Sequence, residues 1–284
     1  MAGVYQQFGG ELSAFFSQFI TVGGDVTLHG GTMLLAYGWG LTSSGALTVS
    51  GGELIAMDAL ANFNGAATIG AGGAGGMVQL VGGNLGANGV TVNATGVLTG
   101  AGVVGGLVVN AGEVDAGPIE DQGTLTITGS LTQTGGVTNI SSDAPFHSEL
   151  AVGGTFNENA GTVNLIGGGT LEGNLNILLA AVFNANGSVE GGVVNAGSIN
   201  LLNGASLFMS TFTQNSTGVL TLDLIEGGSG CVTVGGVANL GGGLVLASSD
   251  GFAPAPGSDV AGFFIIPSTR VWTNVEAVHK LDLI

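Results

Sequence analysis

Glycine returns at turn spacing along a chain whose intervening residues alternate between apolar and small or polar side chains. No other feature restricts the fold more. In 92–117, VNATGVLTGAGVVGGLVVNAGEVDAG, Val and Leu recur at every second position between the glycines. Such alternation is the mark of a half-buried strand. Glycine and asparagine tolerate positive φ and supply the turns between strands. Composition removes the competing readings of a glycine-rich chain. Hydrophobic residues make up 45% and charged residues 7%, the reverse of a disordered segment. A flexible linker would lack the Val, Leu and Ile. Collagen would need glycine strictly at every third place and far more than 5 prolines.

The glycines belong to degenerate internal repeats. VNATGVLTG (92–100), VNAGEVDAG (109–117), FNANGSVEGG (183–192) and VNAGSINLLNG (194–204) share one form: apolar residue, Asn, small residue, Gly-containing turn, alternating strand. A second form, apolar–x–Gly–Gly–x–apolar, recurs in TVSGGELIA (48–56), AVGGTFNENAGTVNL (151–165) and TVGGVANLGGGLVL (233–246). The segments 124–129, 162–167 and 219–224 read as strands. Short strands joined by tight corners and repeated along a chain stack as coils. The expected fold is all-β: a right-handed parallel β-helix, or β-solenoid, of roughly a dozen coils of about 20 residues. Asn in VNAG and FNAN is either a turn residue or a member of a hydrogen-bonded ladder through successive coils.

The ends differ from the middle. Residues 1–20 include the Phe-rich YQQFGGELSAFFSQFI, and residues 252–284 carry three of the five prolines, Trp272 and both basic residues. Terminal coils expose strand edges and core. The expected organisation is therefore an N-terminal cap at 1–20, solenoid repeats at 21–251 and a C-terminal cap or terminal segment at 252–284.

The net charge is −17, with Arg270 and Lys280 the only Lys or Arg. Nucleic acid and anionic membrane surfaces are poor partners for such a chain. Cys231 is the single cysteine, so no intrachain disulfide forms, and it reads as a buried inert thiol. Glycine interrupts most apolar runs well before the ~18 residues of a spanning helix. No Lys or Arg precedes the apolar part of the N-terminus, so no standard signal peptide is visible.

The stretch 90–129, VTVNATGVLTGAGVVGGLVVNAGEVDAGPIEDQGTLTITG, resembles the passenger-domain repeat of bacterial autotransporters. Gly100, Gly102, Gly106, Gly112, Gly117, Pro118, Gly123 and Gly129 match that family's pattern, although the family usually places Pro before Gly at the turn. The resemblance extends over about 45–266 and implies a right-handed β-helix on a bacterial surface. Autotransporters end in an outer-membrane barrel; no such alternating aromatic-girdled segment follows here. The resemblance leaves activity open, because passengers include adhesins, toxins, enzymes and inert stalks.

The densest acidic group is Glu113, Asp115, Glu120 and Asp121, flanking the Gly117–Pro118 turn. These are weak cation-site candidates and otherwise solvated turn acids. A β-helix polysaccharide lyase or hydrolase needs paired carboxylates, or basic residues with Ca²⁺, and no Lys or Arg neighbours this group in sequence. His147, Ser148 and Glu149 are adjacent in sequence, which on a strand sends them to alternate faces. His29, His147, His279 and Cys231 lack metal-ligand spacing. Thr124, Thr126 and Thr128 could form a flat threonine face for ice or glycan, but neighbouring repeats do not continue it. No catalytic residues and no cofactor are expected.

The expected function is a non-catalytic, extracellular or cell-surface β-helix, structural or adhesive, associated with the bacterial outer membrane. It would present a long acidic face to glycans or proteins, with lateral self-association as a further partner mode. The alternatives are a carbohydrate-active β-helix enzyme and a passenger fragment without independent function.

Overall fold

A computed structural model of the chain describes residues 3–14, 19–117, 123–142, 147–225, 228–229 and 231–248. It is an all-β parallel β-solenoid of about 11 turns. The single helical element among the described residues is the 3₁₀ turn Ala71–Gly73, in the glycine-rich AGGAGG stretch. At about 4.8 Å per rung the coils form a rod of about 50 Å.

Each coil has three strand-forming sides. Face A starts at Tyr5–Gln7 and continues through Val26–Leu28, Leu47–Val49, Ala67–Ile69, Val90–Val92, Val108–Asn110 and Leu131–Gln133. Face B starts at Glu11–Ala14 and runs through Thr32–Ala36 and Glu53–Met57 to Gly243–Ala247. Face C starts at Phe19–Val22 and runs through Gly40–Ser43 and Leu60–Phe63 to Cys231–Val234. Nearly all pairs are parallel; Leu224 and Ser229 form an antiparallel pair. Coil length varies: Val108 lies opposite Val90, and Ala238 opposite Phe212. Strand Ser148–Asn195 is continuous over successive faces.

The three-residue strands of face A explain the core. Their first and third side chains point inward and the second outward, the period-2 rule in its shortest form. Val26, Leu28, Leu47, Val49, Ala67 and Ile69 are all fully buried. Faces B and C contribute Met33, Leu35, Leu54, Leu98, Ile127 and Leu150 to the same column. Phe156, Phe183 and Phe212 are its largest fully buried side chains.

At the corner between faces A and B, glycines stack. The N–H groups of Thr32 and Glu53 bond the carbonyls of Gly10 and Gly31, and those of Val137 and Thr162 bond Gly112 and Gly136. At Gly136, φ is +65° and a Cβ would collide with the carbonyl of Gly112. This is where glycine is required, both for its conformation and for the close approach of two backbones.

Within the 1–20 segment, Tyr5–Gln7 and Glu11–Ala14 pair with the following coil at the terminal edge of the solenoid. The expected C-terminal cap at 252–284 lies outside the described residues.

Candidate functional site

The outward residues of successive coils fall into columns, because parallel in-register pairing puts like positions abreast. On face B the central column is Asp115, Asn139, Asn164, Asn184 and Asn200. Its asparagines are hydrogen-bonded in series. Nδ2 of Asn164 donates to Oδ1 of Asn139 at 2.9 Å, Asn184 to Asn164 at 2.9 Å, and Asn200 to Asn184 at 3.1 Å. Asn139 in turn donates to Oε1 of Glu113 at 3.2 Å. Asn139, Asn164 and Asn184 each use one N–H and one lone pair on their neighbours and keep the others for solvent or a partner.

Of the four acids singled out in the sequence, Glu113 and Asp115 sit together on face B, and Glu120 and Asp121 lie outside the described residues. Burial raises the Asp115 carboxyl above the usual aspartate range, with the Glu113 charge adding to it. Among the described residues, no group of three or more His, Cys, Asp or Glu is arranged to hold a metal ion. His147 is exposed, Ser148 buried, and Glu149 faces out to accept from the Thr124 hydroxyl at 2.8 Å, so these three do not converge. His29 stacks on Phe8 and meets the Ser50 hydroxyl at 3.0 Å. Cys231 is only half-buried, not the enclosed thiol expected; it takes an outward position on its strand.

A shallow open groove crosses the A–B corner over Gly31, Gly52 and Gly76, edged by Thr32, Glu53, Met77, Thr95 and Val97. Its one carboxylate, Glu53, accepts from the Thr32 hydroxyl at 3.3 Å.

Two features escaped sequence reasoning. Thr27, Thr48, Thr68 and Thr91 stand abreast on face A, each the middle residue of its strand. By contrast Thr124 and Thr126 face Glu149 and Ala151, so no threonine array continues there. The signal was the tripeptide apolar–Thr–apolar in VTL, LTV, ATI and VTV.

The other missed feature lies inside the A–B corner. Asn110 and Asn195, both of VNAG, are fully buried at the third place of face A. Each accepts the N–H of the residue two further on, Gly112 or Gly197, at 3.0 Å. Each donates into the next coil, to the carbonyl of Val137 at 3.0 Å or Val219 at 3.2 Å. Gln7, Gln133 and Gln214 hold the same place and donate to main-chain carbonyls of Thr32 (3.1 Å), Thr162 (3.0 Å) and Gly243 (2.9 Å). Asn93 and Asn184, which the repeat grouped with these, occupy other positions: Asn93 follows the strand, and Asn184 belongs to the face B ladder.

Compared with family models, with curated proteins and with solved structures, the chain matches none. No helix among the described residues is long and apolar enough to cross a membrane.

Proposed function

We propose that this chain is a non-catalytic structural or adhesive β-helix of a bacterial surface, passenger-like, that binds partners along its ladder-bearing face. The observation that carries this reading is the asparagine ladder on face B. It offers amide donors and acceptors at the rung repeat of about 4.8 Å, a regular array suited to an extended polymer such as a surface glycan. The scarcity of Lys and Arg and the net charge of −17 favour neutral or basic partners over acidic ones. The repeat's resemblance to autotransporter passengers supports the surface location.

The test is binding of the immobilised chain to a glycan array and to matrix proteins, run beside incubation with polysaccharides. Binding that is lost in an Asn164→Ala/Asn184→Ala double variant with unchanged circular dichroism supports the proposal. Release of reducing ends or unsaturated sugars at enzymatic rates sinks it in favour of a carbohydrate-active enzyme.

A further inference from the structure

Glu158 is the third residue of its face A strand and lies opposite Gln133. It is fully buried, and neither carboxyl oxygen has a hydrogen-bond partner. The glutamines at this place, Gln133 and Gln214, each direct their amide N–H groups at two main-chain carbonyls across the corner: Gly136 and Thr162, and Gly241 and Gly243. Glutamate has the same length and shape. Its neutral acid has one O–H with which to repeat that bond. Its carboxylate has only lone pairs, and would lie buried beside those carbonyl oxygens with only partial compensation from the main-chain N–H groups of Val182 and Val163.

We propose that Glu158 is a pH-set catch on the solenoid: as the neutral acid it closes the A–B corner as Gln133 and Gln214 do, and on ionisation it releases that corner. The residue abreast of Thr162 in the next coil is Val182, as Asn164 and Asn184 are bonded side by side. The acid O–H would donate to its carbonyl.

Among the described residues, no titratable group faces Glu158. Gln133 and Thr138 come from the coil before, Phe156 and Val163 from its own coil, and Leu175 and Ile177 from the coil after; all are buried and uncharged. The acids of the same long strand, Glu149, Glu172 and Glu190, lie on the outer surface. Burial lifts the Glu158 carboxyl to about 8, only partly countered by the main chain of Val182 and Val163.

The sign follows from linkage. The folded carboxyl holds its proton up to about 8, whereas the unfolded one loses it near 4.5. Stability from this group is therefore complete below about 4.5 and falls as pH rises toward about 8. The unfolding constant changes by up to about tenfold per pH unit in that window and levels off above it.

The experiment is urea unfolding of the wild-type chain and of Glu158→Gln from pH 4 to 9.5, with amide exchange at Gly161, Thr162 and Val182. All other titrating groups are common to both, so their ratio isolates Glu158. The expected result is a wild-type unfolding constant that rises relative to the variant between about 4.5 and 8, with those amides deprotected first. A ratio independent of pH overturns the proposal. Should Glu158→Gln fail to fold, ¹³C detection of the Glu158 carboxyl in the wild-type chain decides. A midpoint near 8 with loss of protection at the corner sustains it, and a midpoint in the ordinary glutamate range overturns it.

Discussion

Replacing Asn110 with alanine tests whether the corner asparagines hold the coils together. Asn110 Oδ1 is the acceptor for the Gly112 N–H at 3.0 Å, and both residues are buried. Truncation leaves that N–H without a partner, at a cost of about 1–3 kcal/mol. It also removes the Nδ2 bonds to the Val137 carbonyl at 3.0 Å and the Thr138 hydroxyl at 3.3 Å, each contributing about 0.5–1 kcal/mol net. The expected destabilisation is about 2–5 kcal/mol. Asn157 is the control. It also lies on face A, but it points outward and accepts a single bond from Asn176 at 3.0 Å. Its replacement by alanine is expected to cost no more than about 0.5 kcal/mol. Because a solenoid's stability is roughly a sum over neighbouring coils, the local readout is amide exchange at Gly112, beside the global urea midpoint. Exchange there is expected to quicken by about 30- to 4000-fold, taking tenfold per 1.4 kcal/mol. Asn195→Ala is expected to do the same at Gly197. If Gly112 exchange in Asn110→Ala stays within about threefold of wild type, or if Asn157→Ala costs as much, the corner-clamp argument is wrong.

Other perturbations separate the remaining forces. Gly136→Ala combines a left-handed φ of +65° with a collision against the Gly112 carbonyl, and is expected to lower the urea midpoint by the equivalent of about 2 kcal/mol or more. Phe183→Ala opens a void in a fully buried column and is expected to cost about 3–5 kcal/mol in the same assay. Asp115→Asn relieves a half-buried carboxyl whose pKa burial and Glu113 raise. Because the folded pKa is the higher one, the penalty is absent at low pH and grows as pH rises through the aspartate range. The variant is therefore expected to be more stable than wild type at pH 7 by about 0.5 kcal/mol or less, after solvent screening, and equal to it near pH 3.

The strands were legible because their alternation is a property of single segments. The segment 124–129 falls on Gly123–Ile127 and 219–224 on Val219–Ile225. The columns were not, because they depend on which residues stand abreast when coil length varies. Val90 and Val108 are neighbours 18 residues apart, whereas Phe212 and Ala238 are neighbours 26 residues apart. A shift of one residue moves a side chain to the opposite face. Asn93 and Asn110 look alike in VNATG and VNAGE, yet one follows its strand and the other is sealed in the core. The threonine column was hidden for the same reason.

The buried corner residues point to a general constraint on this fold. Where the chain turns from face A to face B, the first N–H past the corner and the carbonyls of the next coil converge on one inward position. In some coils the position is aliphatic, as at Leu28, Val49 and Ile69. Elsewhere the position takes a side chain with an N–H to give: Asn110, Gln133, Asn195 and Gln214. The recurring pattern is apolar–x–(Asn or Gln) in VVN, LTQ, VVN and FTQ, and FNE at 156–158 is its one acidic member. An acid there can serve the same geometry only by keeping a proton. Glu158 therefore makes one corner of the core depend on pH, a property that is written in register and not in composition.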